Sequence, residues 1–289
     1  MSTSSVDLGD VTISYTSAGD PTGPLAVLLH GFPDTTFTFR YLMPYLAGLG
    51  YHVVAPAMRG YAPSTLSASG DYHTTALAHD VNQLHEVLGG RSDAVLIAHD
   101  WGAVAAYAAL ASAPQRWRKA VTMSVPPTPL MSQGFMTYDQ LRLSWYMFFF
   151  QSPLADIVVS LNDLDFITSL WNDWSPGYAN EADVALVRLA LGTPENLGAA
   201  LGYYRAMFLR PQPKDELQYI RDTFNKVPDM PVLYLHGEND GCVAPVIAED
   251  TLQYLAAGSE MEILPGLGHF LHLEDPDTIH HLIGEFLGR

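Results

Sequence analysis

An aspartate occupies the centre of the segment Ala98-His99-Asp100-Trp101-Gly102, between an apolar run and an alanine-rich run. The apolar run at 93–97 predicts a buried strand, and the run at 103–110 predicts a helix. Small residues around a central side chain, between a strand and a helix, are typical of a tight turn that exposes a nucleophile. A carboxylate there can attack carbon and form an alkyl ester, whereas a serine attacks a carbonyl and forms an acyl ester. The segment therefore indicates the opening of an epoxide or the displacement of a halide.

A nucleophilic carboxylate needs a second group that later activates water against the ester. His269 follows the last predicted strand, and the nearby glycines Gly266 and Gly268 allow its loop to carry the imidazole back toward Asp100. Asp240 follows another predicted strand and can fix the tautomer of His269 and stabilise its imidazolium. Glu238 is the alternative acid, although in an extended segment its side chain points elsewhere.

Alternating strand-like and helix-like runs must position these groups. Leu25–Leu29 and His52–Pro56 are predicted as buried strands, and 75–88 as an amphipathic helix. The alternation at 11–15 predicts an edge strand. Strands and helices that alternate at this spacing predict an α/β fold with a mainly parallel central sheet and flanking helices.

The composition changes after Pro129. From 130 to 225 aromatic residues are frequent and no buried-strand run occurs, so this stretch is predicted to form several helices. Strand signals resume at 231–235 and 262–264, and a helical tail begins at Asp277. The sequence therefore predicts a core domain made of 1–129 and 226–289, interrupted by a helical cap at 130–225.

Composition limits the classes of partner and compartment. The chain has 289 residues, 31 of them acidic and 14 basic, and its net charge of −17 argues against nucleic acid and anionic membrane surfaces as partners. Cys242 is the only cysteine, which excludes an intramolecular disulfide, and it is predicted to be a packed or partly exposed thiol. The chain shows neither a signal-peptide pattern nor a bilayer-spanning run, so a cytoplasmic location is expected. The sequence leaves open whether copies associate as a homo-oligomer.

Several motifs together resemble the α/β-hydrolase-fold epoxide hydrolases over nearly the whole chain. They are His30-Gly31-Phe32-Pro33, Arg59-Gly60-Tyr61, His99-Asp100-Trp101-Gly102, Val125-Pro126-Pro127 and Gly268-His269-Phe270. The resemblance implies an α/β-hydrolase fold with the chain order nucleophile, acid, histidine. It also implies an oxyanion hole made by the main-chain N–H groups of Phe32 and Trp101. His30 and His99 are predicted to be structural, and Asp34 is predicted to cap a helix.

The resemblance further implies two cap tyrosines that hydrogen-bond the epoxide oxygen. Trp145-Tyr146-Met147-Phe148-Phe149-Phe150-Gln151 is similar to the family segment Trp-Tyr-x-x-Phe-x-Gln, which assigns one role to Tyr146. Tyr203-Tyr204-Arg205-Ala206 is similar to Trp-Tyr-Arg-Asn, which assigns the other to Tyr204, although Tyr203 and Ala206 depart from that segment. A shift of one residue would assign it to Tyr203 instead. A phenol can donate a hydrogen bond and then a proton as the ring opens.

The predicted reaction is the hydrolysis of a small apolar epoxide to a vicinal diol. Asp100 forms the alkyl-enzyme ester, and water activated by His269 cleaves it, without a cofactor or a metal. A haloalkane dehalogenase with the same catalytic set is the alternative. Phe32 replaces the asparagine typical of halide binding, but Trp171 and Trp174 keep a cap tryptophan available for a halide. An esterase or lactonase is disfavoured because Asp100 replaces serine, and a non-catalytic binding protein is disfavoured because no member of the set is missing.

Overall fold

A sheet of eight strands forms the centre of the computed structural model, which describes residues 1–208 and 215–288. The strands are β1 Ser2–Asp7, β2 Thr12–Ala18, β3 Leu25–Leu29, β4 His52–Pro56, β5 Ala94–His99, β6 Trp117–Met123, β7 Val232–Gly237 and β8 Glu260–Leu264. Their spatial order is β1-β2-β4-β3-β5-β6-β7-β8. β1 and β2 pair antiparallel, as do β2 and β4, and all other neighbours are parallel. The predicted α/β architecture with a mainly parallel sheet is confirmed.

The edge of the sheet differs from the prediction. The segment predicted as an edge strand forms β2, which lies between β1 and β4. The true edge strand, β1, was not predicted from the sequence. Five of its six residues are exposed, and it carries only one apolar side chain, Val6. An edge hairpin with so little buried surface has no hydrophobic periodicity for a sequence pattern to reveal.

Helices cover both faces of the sheet and follow one another between β6 and β7. Their bounds are α1 Leu42–Gly48, α2 Thr74–Val87, α3 Trp101–Ser112, α4 Thr128–Gly134, α5 Tyr138–Leu143, α6 Trp145–Phe149, α7 Leu154–Ser160, α8 Asp165–Trp174, α9 Glu181–Leu191, α10 Pro194–Phe208, α11 Gln218–Arg221, α12 Pro245–Ala248, α13 Leu271–Glu274 and α14 Pro276–Gly288. In the described part of the chain, no helix combines the length and the apolar character needed to cross a membrane.

Alternation along the central strands divides the core into two layers. In β3, Val27 and Leu29 join the apolar cluster that contains the buried side chains of α2 and α3. Ala26 and Leu28 join the cluster on the opposite face, which contains the buried side chains of α1 and α14. A strand that is buried on both faces consists of a continuous run of apolar residues. This pattern predicts β3, β5 and β7 from the sequence.

The predicted insertion at 130–225 contains helices α4 to α11. Residues 209–214 of this stretch lie outside the described residues. The buried aromatic side chains of α6, α8 and α10 belong to the same apolar cluster as α2 and α3. The division into a core domain and a cap stays a prediction.

Gly102 allows α3 to begin directly against β3. A Cβ at this position would collide with the main-chain carbonyl oxygens of Leu29 and His30. We therefore expect Gly102→Ala to lower the free energy of unfolding by about 1–3 kcal/mol, because the helix must move away from the strand. Chemical denaturation measures the change.

A second helical glycine provides the matched control. A Cβ at Gly198 in α10 meets no atom within contact distance. Gly198→Ala should raise the free energy of unfolding by up to about 1 kcal/mol, since alanine has the higher helix propensity. Equal effects of the two substitutions would contradict the close approach of α3 to β3.

Candidate active site

Asp100 lies at the sharp turn between β5 and α3. Its φ of 51° is rare for a residue with a side chain and places the carboxylate at the carboxyl end of the central strands. The main-chain N–H of Phe32 donates to Oδ1 of Asp100 at 2.6 Å. Gly31 packs so closely that a Cβ there would overlap the Asp100 side chain. One oxygen of the carboxylate is therefore fixed by the loop that follows β3, and the other is left for a different partner.

His269 lies between two carboxylates. Its Nε2 is 3.6 Å from Oδ2 of Asp100, and its Nδ1 is 2.9 Å from Oδ2 of Asp240. The main-chain N–H of His269 donates to the carbonyl of Trp174, and its carbonyl accepts from the Ser124 hydroxyl. Two hydrogen bonds to the main chain of His269 thus fix the loop after β8. His269 therefore contacts both Asp100 and Asp240, the other two predicted residues.

Asp240, rather than Glu238, contacts the imidazole. Its Oδ1 accepts the main-chain N–H groups of Cys242 and Val243 at 2.7 and 2.9 Å, which leaves Oδ2 for His269. Glu238 is exposed, and its carboxylate accepts the N–H of Gly266. The extended segment after β7 sends these two side chains to different places, as the sequence predicted.

His269 and its two neighbouring carboxylates interact electrostatically. Burial lowers the pKa of His269, but the carboxylates of Asp240 and Asp100 outweigh it and raise the pKa to about 10. Burial raises the pKa of Asp240, but the charge of His269 and their hydrogen bond bring it below its usual value. At neutral pH the resting site therefore holds an imidazolium between two carboxylates.

The main-chain N–H of Trp101, the second predicted oxyanion donor, belongs to the first residue of α3, next to Asp100 in the chain. The Trp101 ring is buried and packs edge-on against Tyr203 and Tyr204, with ring centroids 5.4 and 5.1 Å apart. The start of this helix is thus held against α10. The structure places the Phe32 N–H on Oδ1 of Asp100, and the Trp101 N–H lies at the first residue of the helix that Asp100 precedes.

Two buried phenols face the same region. Tyr146 in α6 and Tyr204 in α10 are both fully buried, and their rings lie 5.7 Å apart at 83°. The Tyr146 hydroxyl is 3.3 Å from Sγ of Cys242, and the Tyr204 hydroxyl lies beside the Trp101 side chain. Burial raises the pKa of both hydroxyls well above the usual value, with the Asp100 charge adding to it, so both stay protonated.

The ambiguity between Tyr203 and Tyr204 is resolved by their partners. The Tyr203 hydroxyl donates to the main-chain carbonyl of Arg59 at 2.7 Å. The Arg59 guanidinium is held in turn by two hydrogen bonds with Asp80, both 2.7 Å. Tyr203 therefore anchors α10 to the loop after β4, whereas Tyr204, one residue on, packs against Trp101 beside Asp100.

Helices α6 and α10 are joined directly. The Gln151 side-chain amide donates to the carbonyls of Met147 and Tyr204, and Arg205 Nε donates to the carbonyl of Phe150. These bonds fix the spacing of the two phenols. Gln151, the last residue of the motif that contains Tyr146, thus joins the segments of the two phenols.

Cys242 is a site residue that the sequence analysis did not assign. It is buried, its Sγ contacts the Tyr146 hydroxyl, and it lies within 4.8 Å of ligand atoms of both Asp100 and His269. Burial, then Asp240 and Asp100, raise the pKa of the thiol well above its usual value. Its place two residues after Asp240 was the only available signal, and it does not reveal contact with a helix some hundred residues earlier.

An apolar cavity opens onto the nucleophile. Besides Asp100 and Cys242, it is lined by Trp101, Val104, Val125, Met131, Phe135, Met147, Met207 and Val243. Val104, Phe135 and Met207 also line a larger cleft between α2, α3, α4 and α10. The shared lining residues show that this cleft lies next to the cavity at Asp100.

The remaining candidate residues have structural partners. His30 Nδ1 lies 2.9 Å from the Gly31 carbonyl, and its Nε2 accepts the N–H of Met58. Burial lowers the pKa of His30 to about 4 and that of His99 to about 3, so both are neutral. The indole N–H of Trp171 donates to the Pro33 carbonyl at 2.9 Å, which removes it as a halide donor.

Comparison with known proteins shows the relationships of the chain. The sequence profile described as the alpha/beta hydrolase fold matches residues 24–276. Epoxide hydrolase 3 of Xenopus tropicalis is 30% identical over 291 residues, which cover 96% of this chain and 75% of that protein. Epoxide hydrolase A of Mycobacterium tuberculosis is 26% identical, with 98% of this chain and 96% of that protein covered. The crystal structure of a Bacillus megaterium epoxide hydrolase in complex with an inhibitor has a TM-score of 0.85 at 24% identity, covering 99% and 100% of the chains, and supports the fold.

The charge arrangement predicts a specific dependence of stability on pH. Because the pKa of His269 rises from 6.5 to about 10 on folding, the folded protein keeps a proton that the unfolded chain loses above pH 6.5. The stabilisation is complete below pH 6.5 and is lost as the pH rises toward 10. Between pH 7.5 and 9 the free energy of unfolding should fall by about 1.4 kcal/mol per pH unit on account of this group.

The measurement is denaturant unfolding of the wild type and of His269→Gln at several pH values. The variant lacks the proton, so its unfolding free energy should fall less steeply over the same interval. Asp34, His30 and His99 are present in both proteins, so their contributions cancel in the difference. Parallel profiles would show that His269 does not carry the expected charge.

Proposed function

The chain belongs to the α/β-hydrolase-fold epoxide hydrolase family, and from that premise we propose that it hydrolyses an apolar epoxide to a vicinal diol through an ester on Asp100. One observation carries the proposal. A carboxylate anchored through one oxygen lines an apolar cavity and has an imidazole 3.6 Å from its other oxygen, and two buried phenols contact the neighbouring lining residues Cys242 and Trp101. This set supplies a nucleophile, a base and two acids, which are the groups that ring opening and ester hydrolysis require.

In the first step, Oδ2 of Asp100 attacks a ring carbon of the epoxide. The bond between that carbon and the epoxide oxygen breaks, and the oxygen takes the electron pair. Tyr146 and Tyr204 donate hydrogen bonds to it, and one of them transfers a proton to it and is left as a tyrosinate. Since Oδ1 is bound to the Phe32 N–H, it becomes the carbonyl oxygen of the new ester.

The ester changes the charge balance around His269. Esterification removes the negative charge of Asp100, which is one of the two causes that favour the imidazolium. The pKa of His269 therefore falls, so the ring passes its proton through solvent to the tyrosinate and becomes the neutral base for the next step. Asp240 stays ionised and continues to orient the ring through Nδ1.

In the second step, His269 takes a proton from water as the water oxygen attacks the ester carbonyl carbon. Negative charge develops on Oδ1 of Asp100, where the N–H groups of Phe32 and Trp101 stabilise it. Collapse of this intermediate breaks the bond between the carboxyl carbon and Oδ2. The departing Oδ2 takes up the remaining proton of the attacking water, so the diol leaves and the Asp100 carboxylate and the His269 imidazolium are restored. One carboxylate oxygen of Asp100 is thus replaced by a water oxygen in each turnover.

The helices at 130–225 act as a cap over the nucleophile in this proposal. They supply both phenols and half of the apolar lining residues, namely Met131, Phe135, Met147 and Met207. A cavity lined by valine, methionine and aromatic side chains favours an apolar substituent on the epoxide. Displacement of a halide is less well supported, because Phe32 has no polar side chain and Trp171 is engaged with Pro33.

The covalent step can be trapped. His269→Gln removes the base for the second step and leaves Asp100 in place. After mixing with styrene oxide, the intact mass should increase by one substrate, since the ester forms faster than it hydrolyses. Mass spectrometry of the intact protein and of its peptides measures the adduct.

Cys242 requires a control, because thiols also react with epoxides. Hydroxylamine cleaves an ester and not a thioether, so an adduct on Asp100 should disappear and one on Cys242 should remain. Asp100→Ala combined with His269→Gln should give no hydroxylamine-sensitive adduct. If the wild type turns over an epoxide but no adduct maps to Asp100, the ester mechanism is wrong.

The role of the phenols is tested by removing their hydroxyl groups. We expect Tyr146→Phe combined with Tyr204→Phe to lower the kcat for an epoxide by at least about 10²-fold, because the leaving oxygen then has no proton donor. Tyr203→Phe is the matched control, since it removes a buried hydroxyl from the same helix that is bonded to Arg59. It should affect stability more than turnover, and full activity of the double variant would refute the assignment.

A further inference from the structure

The cavity at Asp100 has room for the reacting part of a substrate and for little more. It leaves about 30 Å³ for the centre of a water-sized molecule. One water needs about 10–15 Å³ by this measure, so the cavity accepts about two or three atoms of that size. This matches the three-membered ring of an epoxide. A substituent larger than a methyl group therefore has to lie outside the cavity.

The cleft between α2, α3, α4 and α10 supplies the missing space. It leaves about 430 Å³ by the same measure. Val104, Phe135 and Met207 line both the cavity and the cleft, so these three side chains form the boundary between them. A substituent attached to an epoxide ring at Asp100 reaches the cleft by passing this boundary.

The boundary side chains are not fixed in the core. Val104 and Phe135 are half-buried, and Met207 is 42% exposed. The side chain of Met207 is unbranched and has three rotatable bonds, so it adapts to a neighbour without a change in the main chain. All three side chains are apolar, so an apolar substituent passes them without breaking a hydrogen bond or an ion pair.

The lining of the cleft extends this apolar surface away from Asp100. Polar residues line the cleft as well, namely His73, Thr74, Thr75, Thr128, Ser132 and Arg221. Its other apolar lining residues are Ala108, Ala206, Phe208 and Phe224. Ala206 occupies the position where the similar family segment has asparagine, so this chain presents a methyl group there. Full burial of one methylene group against apolar side chains strengthens binding about fourfold.

We propose that this cleft binds the substituent of the epoxide, and that the substrates are epoxides with an extended apolar substituent. The inference rests on the proposed function, because it places the substituent relative to a ring held at Asp100. It differs from the sequence prediction of a small apolar epoxide in the size of the substituent. Val104, Phe135 and Met207 contact the first atoms of the substituent, and Ala206 contacts atoms farther from the ring.

The dependence of turnover on chain length is the first test. Straight-chain epoxides from 1,2-epoxybutane to 1,2-epoxydecane carry the same reacting ring and differ only in the apolar chain. We expect kcat/KM to rise about two- to fourfold per added methylene group, because the cleft buries the chain in both the bound substrate and the transition state. Initial rates below the solubility limit of each epoxide measure it. The product diols, tested as competitive inhibitors, should bind in the same order.

Variants at Ala206 test whether the chain lies in the cleft. Ala206→Trp fills part of the cleft, and Ala206→Asn places an amide in its apolar wall. The ratio of kcat/KM for 1,2-epoxydecane to that for 1,2-epoxybutane should fall at least about tenfold in the Trp variant and about threefold in the Asn variant. Ala185→Trp is the matched control, since Ala185 is an exposed residue of α9. It should keep the wild-type ratio.

The outcomes separate the inference from the function on which it rests. If no epoxide of the series is hydrolysed, the proposed function is wrong and the inference falls with it. If 1,2-epoxybutane is hydrolysed but kcat/KM stays level or falls as the chain grows, the inference alone is overturned. It is also overturned if the folded Ala206 variants keep the wild-type ratio, or if Ala185→Trp lowers the ratio as much. Ala206→Asn gives this answer even if Ala206→Trp does not fold, which circular dichroism shows.

Discussion

The structure of this site depends on one imidazolium between two buried carboxylates. Asp100 and Asp240 are both almost fully buried, and isolated carboxylates in such places would be strongly destabilising. His269 is the cation that both of them contact, and each supports its protonated form. The attraction between His269 and these two carboxylates therefore stabilises the arrangement of the three side chains. The same arrangement allows a change of charge at Asp100 to alter the basicity of His269 without any movement of the chain.

The fold brings these charges together through the carboxyl ends of parallel strands. Phe32 follows β3, Asp100 follows β5, Asp240 follows β7 and His269 follows β8, so four loops meet at one edge of the sheet. Fixed main-chain groups set each side chain: the Phe32 N–H holds Asp100, and two N–H groups after β7 hold Asp240. Little of the site depends on flexible side chains alone, and its geometry is largely set before a substrate binds.

The sequence predicted the parts of this arrangement that have a local signature. The strands buried on both faces show as apolar runs, and Asp100 is marked by its small neighbours at a tight turn. The edge strand β1 has no such signature, because nearly all its side chains face solvent. Tyr203 and Tyr204 could not be separated by pattern, since only the distant Arg59 carbonyl distinguishes their hydroxyls. Cys242 joins the site through its contact with Tyr146, 96 residues earlier in the chain, and no spacing rule encodes such a contact.

Two nucleophiles lie beside the same cavity, and electrostatics separates them. A thiol attacks only as the thiolate, and burial together with Asp240 and Asp100 keeps Cys242 protonated. Asp100 meets a different environment, because the Phe32 N–H donates to one of its oxygens and His269 lies 3.6 Å from the other. In the proposed reaction the carboxylate is therefore the nucleophile, although the thiol is the stronger nucleophile when ionised. The same two negative charges favour the imidazolium and disfavour the thiolate, so one charge pattern both prepares Asp100 and protects Cys242 from alkylation.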